Sequence, residues 1–140
     1  MKKNNKGFSL VELIIVIAIM AILAGALAPA LIKYIAKSRR STDVSNAQTI
    51  ATAVTNALSV EAAYDAANAT TYTLSDTAAG GGLTGDDFQD EVASQLGKSI
   101  YKPKYDKGNK FEFTINSDKS TFTVTVNSSE LYPDVCAAYK

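Results

Sequence analysis

Apolar positions along this chain follow three different patterns in succession. From Leu13 to Ile32 there are twenty residues without a charge, and at about 1.5 Å of rise each they make a helix long enough for a hydrocarbon core of roughly 30 Å. Beyond Lys33 the all-round apolar run narrows to a stripe. Val44, Ala47, Ala51, Val54 and Leu58 alternate spacings of three and four, which lines one face of a helix and turns Thr49, Thr52 and Asn56 elsewhere. Near the C-terminus the period becomes two: Phe111, Phe113 and Ile115 alternate with polar residues, as do Phe122, Val124 and Val126. Turn chemistry over residues 116–120 joins them, so the pattern predicts a β-hairpin with one buried face.

The stretch between helix and hairpin is less periodic. Residues 64–85 are rich in Ala, Thr, Asp and Gly, including glycines at 80–82, and read as a long loop joining helix to sheet. Thr84 or Asp86 is placed to cap a short helix over residues 87–96, with Phe88, Val92 and Leu96 on one face and Gly97 as its stop. Residues 100–105 predict an edge strand, where Pro103 is tolerable. The class is therefore α+β, a long N-terminal helix packed by its outer half on a small antiparallel sheet. A helix over residues 8–63 would be on the order of 80 Å long. No domain this small can bury it, so its first half faces lipid or other subunits. The alternative is two helices with a break near residues 37–42.

One carboxylate interrupts the apolar beginning. Glu12 follows Lys2, Lys3, Lys6 and Gly7 and sits at the head of the uncharged run. A charge at the bilayer centre costs roughly 2.5 kcal/mol or more, so an intramembrane carboxylate calls for a partner or a function. An ordinary secretory signal, with a cut after Ala26-Leu27-Ala28, has too short an apolar core to match this run, and Pro29 behind the cut is a poor substrate. A lipoprotein anchor needs a cysteine just after the run, and the only one is Cys136. A plain single-pass anchor explains neither Glu12 nor the Lys-Gly-Phe junction.

The segment Lys6-Gly7-Phe8-Ser9-Leu10-Val11-Glu12-Leu13-Ile14 resembles the prepilin signal of type IV pilins and pseudopilins. The likeness covers roughly the first 40 residues and joins five features: a short basic leader ending in Gly7, Phe8 after it, Glu12 four residues on, an unbroken apolar helix, and Pro29 within it. The resemblance implies a leader of residues 1–7, a helix of residues 8–63 with its membrane segment at about 8–32, and a pilin-like head of residues 64–140 packed on 41–63. It further implies that a prepilin peptidase and N-methyltransferase cuts between Gly7 and Phe8 and methylates the new amine. Gly7 suits the cut, since a residue without a Cβ enters a narrow cleft in extended form.

Cleavage creates a positive amine on Phe8, with a reference pKa of about 7.7–8.0. Glu12 of an incoming subunit then has a partner in the Phe8 amine of a subunit already in place, and two charges ill suited to an apolar core neutralise each other. The competing reading is that Glu12 simply reaches the headgroup region. Pro29 removes its own donor and crowds the carbonyl of Gly25, a second poor helix former, so the turn from Gly25 to Pro29 is expected to bend or melt. The resemblance implies that this turn loses helicity in a filament, and ordinary tolerance of proline in membrane helices is the alternative.

Composition adds exclusions. The 140 residues, 46% apolar and 20% charged, fit one globular domain plus one membrane segment. From Ser41 onward thirteen acidic side chains face seven basic ones, and that acidic balance disfavours nucleic acid as the main partner without excluding it. Lysines before the span and Lys33, Lys37, Arg39 and Arg40 after it leave the positive-inside rule without a vote, so the orientation, leader inside and head outside, comes from the resemblance. With no histidine, one cysteine and no phosphate-cradling glycine motif, a His-based triad, a zinc site or a P-loop cannot be built, and neither an enzyme nor a cofactor is expected. Many of the pilins it resembles close a C-terminal loop with a disulfide, which a lone Cys136 cannot do. That departure accords with a monoderm origin and with Cys136 as a buried free thiol, an intersubunit disulfide being the alternative.

Two charge clusters carry alternatives. Asp86, Asp87, Asp90 and Glu91 are weak candidates for calcium, as in major pseudopilins, but acids in a first helical turn also suit the macrodipole. Lys98, Lys102, Lys104, Lys107 and Lys110, interleaved with Tyr101 and Tyr105, form either a basic patch for DNA or another anionic surface, or a solvated sheet edge, which is the reading favoured. The triplets at Asn68 and Asn127 carry little weight as glycosylation signals. The chain thus reads as a pilin precursor held in the cytoplasmic membrane by lipid, passed to an inner-membrane assembly platform and polymerised with like subunits into a surface fibre. The alternatives are a pseudopilin of a secretion or DNA-uptake machine, and a membrane-anchored binding module that never polymerises.

Overall fold

The structure is a computed structural model and describes residues 7–140. Lys2, Lys3 and Lys6 of the expected leader lie outside the described residues. The chain divides into two compact units, Met1–Ala36 and Lys37–Lys140. The described part of the first unit is helical from Leu10 onward. Its apolar side chains, from Leu10 through Ile17 to Ile32, all stand exposed, as an all-round apolar helix must when nothing from its own chain covers it. This is the one described helix long and apolar enough to cross a membrane.

Helix α1 is continuous over Leu10–Leu58, so no break falls at residues 37–42. It also runs helical through Gly25 and Pro29. A proline removes one hydrogen bond, and the bonds of the neighbouring residues hold the turn. The helix stops earlier than expected. At Ser59 and Val60 the amides bond back three residues, to Asn56 and Ala57, a 3₁₀ tightening that ends the helix. A separate helix α2, Glu61–Ala66, follows, where one helix over residues 8–63 had been expected.

The second unit is α+β. Helix α3, Asp87–Leu96, buries Phe88, Val92 and Leu96 and ends at Gly97. Four antiparallel strands form a sheet in chain order, β1 (Thr71–Thr73), β2 (Phe111–Ile115), β3 (Phe122–Val126) and β4 (Ser129–Tyr132). The hairpin pairs Phe111 with Val126 and Ile115 with Phe122. One core joins the two layers, with Ala47, Ile50, Ala51, Val54 and Ala57 of α1 meeting the α3 face and the inward side chains of the sheet. At its centre Tyr72, Phe88 and Phe113 pack with ring centroids 5.0–6.2 Å apart. Fully burying one such side chain stabilises by about 1.5–3 kcal/mol, with offset and edge geometries adding a little more.

Two expectations about the sheet need correction, and a fourth strand was not foreseen. The edge strand at residues 100–105 does not form, although Tyr101 and Pro103 are both buried. Pro103 has no N–H, and the amides of Lys104 and Tyr105 donate to the Asp43 carboxylate rather than to a neighbouring strand. The edge beyond β2 is instead β1, which lies inside the stretch read as loop and pairs Tyr72 with Phe113. Finally, β4 continues the sheet past β3 through Asn127 and Ser128, both with positive φ, at 48° and 62°. Such a two-residue turn matches the right-handed twist of the strands it joins.

Candidate functional site

The candidate processing and assembly residues gather where α1 begins. Gly7, Phe8 and Ser9 are non-helical, and Phe8 is 89% exposed. A Cβ placed on Gly7 would meet nothing within 4 Å. The bond between Gly7 and Phe8 therefore lies outside the helix, between two exposed residues. Ser9 is the N-cap: its carbonyl accepts the Leu13 amide at 3.2 Å. The Glu12 amide donates to Ser9 Oγ at 3.2 Å, and the Ser9 amide donates to Glu12 Oε2 at 2.7 Å. This reciprocal pair is a capping box, and it satisfies two of the amides that a helix start leaves without partners.

Ser9 was missed in reading the sequence, although Ser-Leu-Val-Glu directly before an apolar run is a capping-box signature. Its presence gives Glu12 a role within its own chain, one carboxylate oxygen closing the first turn while the other has no partner among the described residues. Acidic charge at a helix start is also favoured by the macrodipole. Farther along, Gly25 and Pro29 occupy adjoining turns of the exposed apolar helix, and a Cβ on Gly25 would touch nothing.

In the second unit, Asp86 is the N-cap of α3. Its Oδ1 accepts the Gln89 amide at 2.8 Å and its Oδ2 accepts Gln89 Nε2 at 3.0 Å, while Asp87 and Asp90 fall in the first turn. Among the described residues no group of three or more His, Cys, Asp or Glu side chains is gathered to hold a metal ion. Cys136 is half-buried and free.

The lysine run is split by the fold rather than laid along an edge. Lys102, Lys104 and Lys107 join Arg39 of α1 around an open cavity of about 620 Å³, with Ser38, Thr42, Pro103 and Gly108 completing its wall. Lys98 and Lys110 do not line it. The loop is held in place from below by Asp43, wholly buried, which accepts the amides of Lys104 at 2.7 Å and Tyr105 at 2.8 Å. Beside it Arg40 donates to the Tyr105 hydroxyl at 2.8 Å and lies 4.5 Å from the centre of that ring. Tyr139 packs edge-on against Tyr105 and its hydroxyl is buried without a partner among the described residues. Burial pushes the Tyr139 phenol up to about 12, and the negative charges of Asp43 and Asp106 add to the shift.

Asp43 also went unread. Its signal was its position, since residues 43, 47, 50 and 54 share one helix face, and a carboxylate on a face otherwise made of Ala47, Ile50 and Val54 must have donors waiting for it.

The family model of the prokaryotic N-terminal methylation motif matches residues 2–28. This is the signal of type IV pilins and pseudopilins, and the match takes in Gly7, Phe8, Ser9, Glu12 and Gly25 and ends one residue before Pro29. No curated protein and no solved structure matches the chain.

Proposed function

We propose that this chain is a structural pilin precursor, cut between Gly7 and Phe8, methylated on the new Phe8 amine, and polymerised through α1 into a type IV pilus-like filament on the cell surface. The observation that carries the reading is the methylation motif over residues 2–28 lying on an apolar helix whose side chains the chain itself leaves uncovered. Such a surface is stable in lipid, and it is equally suited to the core of a bundle of identical helices. A single-pass precursor in the cytoplasmic membrane thus stores the subunit. Its partners are the prepilin peptidase, an assembly platform in that membrane, and further copies of the chain.

Glu12 and Phe8 are the proposed assembly contacts. A carboxylate and an amine that would each be costly in an apolar core neutralise each other between subunits and set the axial register. Pro29 and Gly25 are the proposed point of extension, where loss of a few hydrogen bonds lengthens the chain in the assembled state.

The mass of the mature N-terminus tests processing: a chain beginning at Phe8 and bearing one methyl group is expected, and an intact residue 1–7 leader would refute it. Electron microscopy of cells labelled with antibody to the head tests polymerisation. Long labelled fibres are the expected result. Pseudopilins carry the same signal, and label confined to short structures at the envelope would favour a piston in a secretion or DNA-uptake machine. Uniform membrane label with no structures at all would favour an anchored binding module.

A further inference from the structure

We propose that the cavity ringed by Arg39, Lys102, Lys104 and Lys107 binds the phosphate of an anionic lipid headgroup. This rests on the membrane-held precursor of the proposed function and adds a ligand to it. Four cationic residues line the cavity and no acid lines it with them, in a region where acidic side chains outnumber basic ones. Like charges so gathered repel unless an anion lies between them. Among the described residues the one ion pair is Lys102 with Asp76, at 3.8 Å; Arg39, Lys104 and Lys107 have no carboxylate at salt-bridge distance.

The nearby acids are already engaged and do not quench the site. Asp43 is turned to the two loop amides, and Asp106 accepts from Asn109. Because Asp43 holds the backbone at Lys104 and Tyr105, the loop presents Lys104 and Lys107 without first having to be ordered, which lowers the cost of binding. Thr42 donates to the Ser38 carbonyl, so of the two hydroxyls lining the cavity that of Ser38 is the one open to an anion. A volume of about 620 Å³ exceeds what a bare phosphate fills and lies within the range of sites for small organic ligands, about 300–1,000 Å³. The lipid source is favoured by sequence: Arg39 follows Ile32, the last residue of the apolar run, by seven positions. The bilayer that holds the run supplies headgroups at high local concentration.

The test uses the full chain in nanodiscs of phosphatidylcholine doped with phosphatidylglycerol, with lipid retained by the released protein read by native mass spectrometry. Wild type is expected to retain phosphatidylglycerol in preference to phosphatidylcholine. At about fivefold per basic residue, the combined variant Arg39→Gln, Lys104→Gln, Lys107→Gln loses that preference by roughly 100-fold. The control Lys37→Gln, Lys98→Gln, Lys110→Gln removes as much charge outside the cavity and keeps it, and exchanging Lys104 and Lys107 for arginine keeps it too. Matching near-UV circular dichroism shows that all variants are folded. Equal loss in the cavity and control variants would overturn the proposal, because the attraction would then be diffuse. Displacement of the lipid by low inorganic phosphate would overturn it in favour of a free anion. Unchanged lipid retention with lost filaments in the cavity variant would assign the cations to an acidic face of a second copy. A chain that binds lipid at the cavity but keeps its leader would refute the proposed function and leave this site standing.

Discussion

Asp43→Asn is the most informative single change in the head. The wild-type carboxylate is fully buried and accepts two backbone amides, at 2.7 and 2.8 Å, from a loop 61 and 62 residues away in sequence. Hydrogen bonds to a charged group contribute about 1.5–3 kcal/mol each. Lys104 and Tyr105 are themselves exposed, so water replaces part of what is lost, and the lower part of that range applies. Asparagine keeps one acceptor oxygen but presents an NH₂ to the second amide, donor against donor. The expected cost is about 2–3 kcal/mol, a large share of the 5–15 kcal/mol that holds a typical domain together.

The assay is urea unfolding of the full chain in mild detergent, followed by near-UV circular dichroism. The chain has seven tyrosines and no tryptophan, and both Tyr105 and Tyr139 sit beside the contact. With a slope of about 1–3 kcal/mol/M the midpoint falls by roughly 1–2 M. Amide exchange provides the local readout, since Lys104 and Tyr105 should lose protection while the β2–β3 pairing keeps it. An unchanged midpoint with both amides still protected would refute the view that Asp43 replaces the missing edge strand.

Two further predictions concern the same unit. Tyr139→Phe removes a buried hydroxyl that has no partner, so stability at neutral pH is expected to hold or rise slightly, as thermal unfolding will show. Because the Tyr139 phenol is raised in the fold from 10.0 to about 12, the neutral form is the one the fold prefers. That contribution is complete below pH 10 and is lost as pH climbs toward 12, so the variant should unfold less steeply than wild type in this alkaline window. Gly80→Ala should cost about 1–3 kcal/mol: Gly80 has φ of 63° and an added Cβ would lie 2.9 Å from the Ala93 carbonyl oxygen in α3. A midpoint unchanged in urea would contradict it.

Long periodic stretches were legible and short paired ones were not. The α1 stripe, the α3 face and the β2–β3 hairpin each have enough repeats for their period to show, and most of the residues that the period selects are buried, with Val44, Leu58 and Phe122 at the margins only partly so. Strand β1 has three residues, too few to carry a period, and it exists because β2 offers an edge. Strand β4 was hidden for a different reason: Asn127 was weighed as a glycosylation triplet, although Asn-Ser after an alternating run is turn chemistry. At residues 100–105 the alternation was genuine, since Tyr101 and Pro103 are both buried, but burial did not imply pairing once Asp43 had taken the amides. The lysine cavity was unreadable for a related reason. Arg39 is 63 residues from Lys102 and meets it only through the fold.

At the start of α1 the structure gives Glu12 a capping role beside the assembly role proposed for it. The capping box uses Glu12 Oε2 and the Ser9 amide, and that amide belongs to the peptide joining Phe8 to Ser9, so cutting before Phe8 leaves it in place. A carboxylate offers about four lone-pair sites, so pairing with the Phe8 amine of a neighbour does not require the cap to open. Two substitutions then divide the roles. Glutamine also fits the capping box, so Glu12→Gln keeps the turn and removes only the charge. Ser9→Ala keeps the charge and removes the reciprocal contact, at a cost of about 0.5–2 kcal/mol to the first turn. If charge pairing sets the register, Glu12→Gln abolishes filaments in shear preparations from cells, while Ser9→Ala lowers their amount with the membrane pool still processed. Equal and complete loss in both variants would mean that a closed first turn, rather than the charge, is what assembly requires.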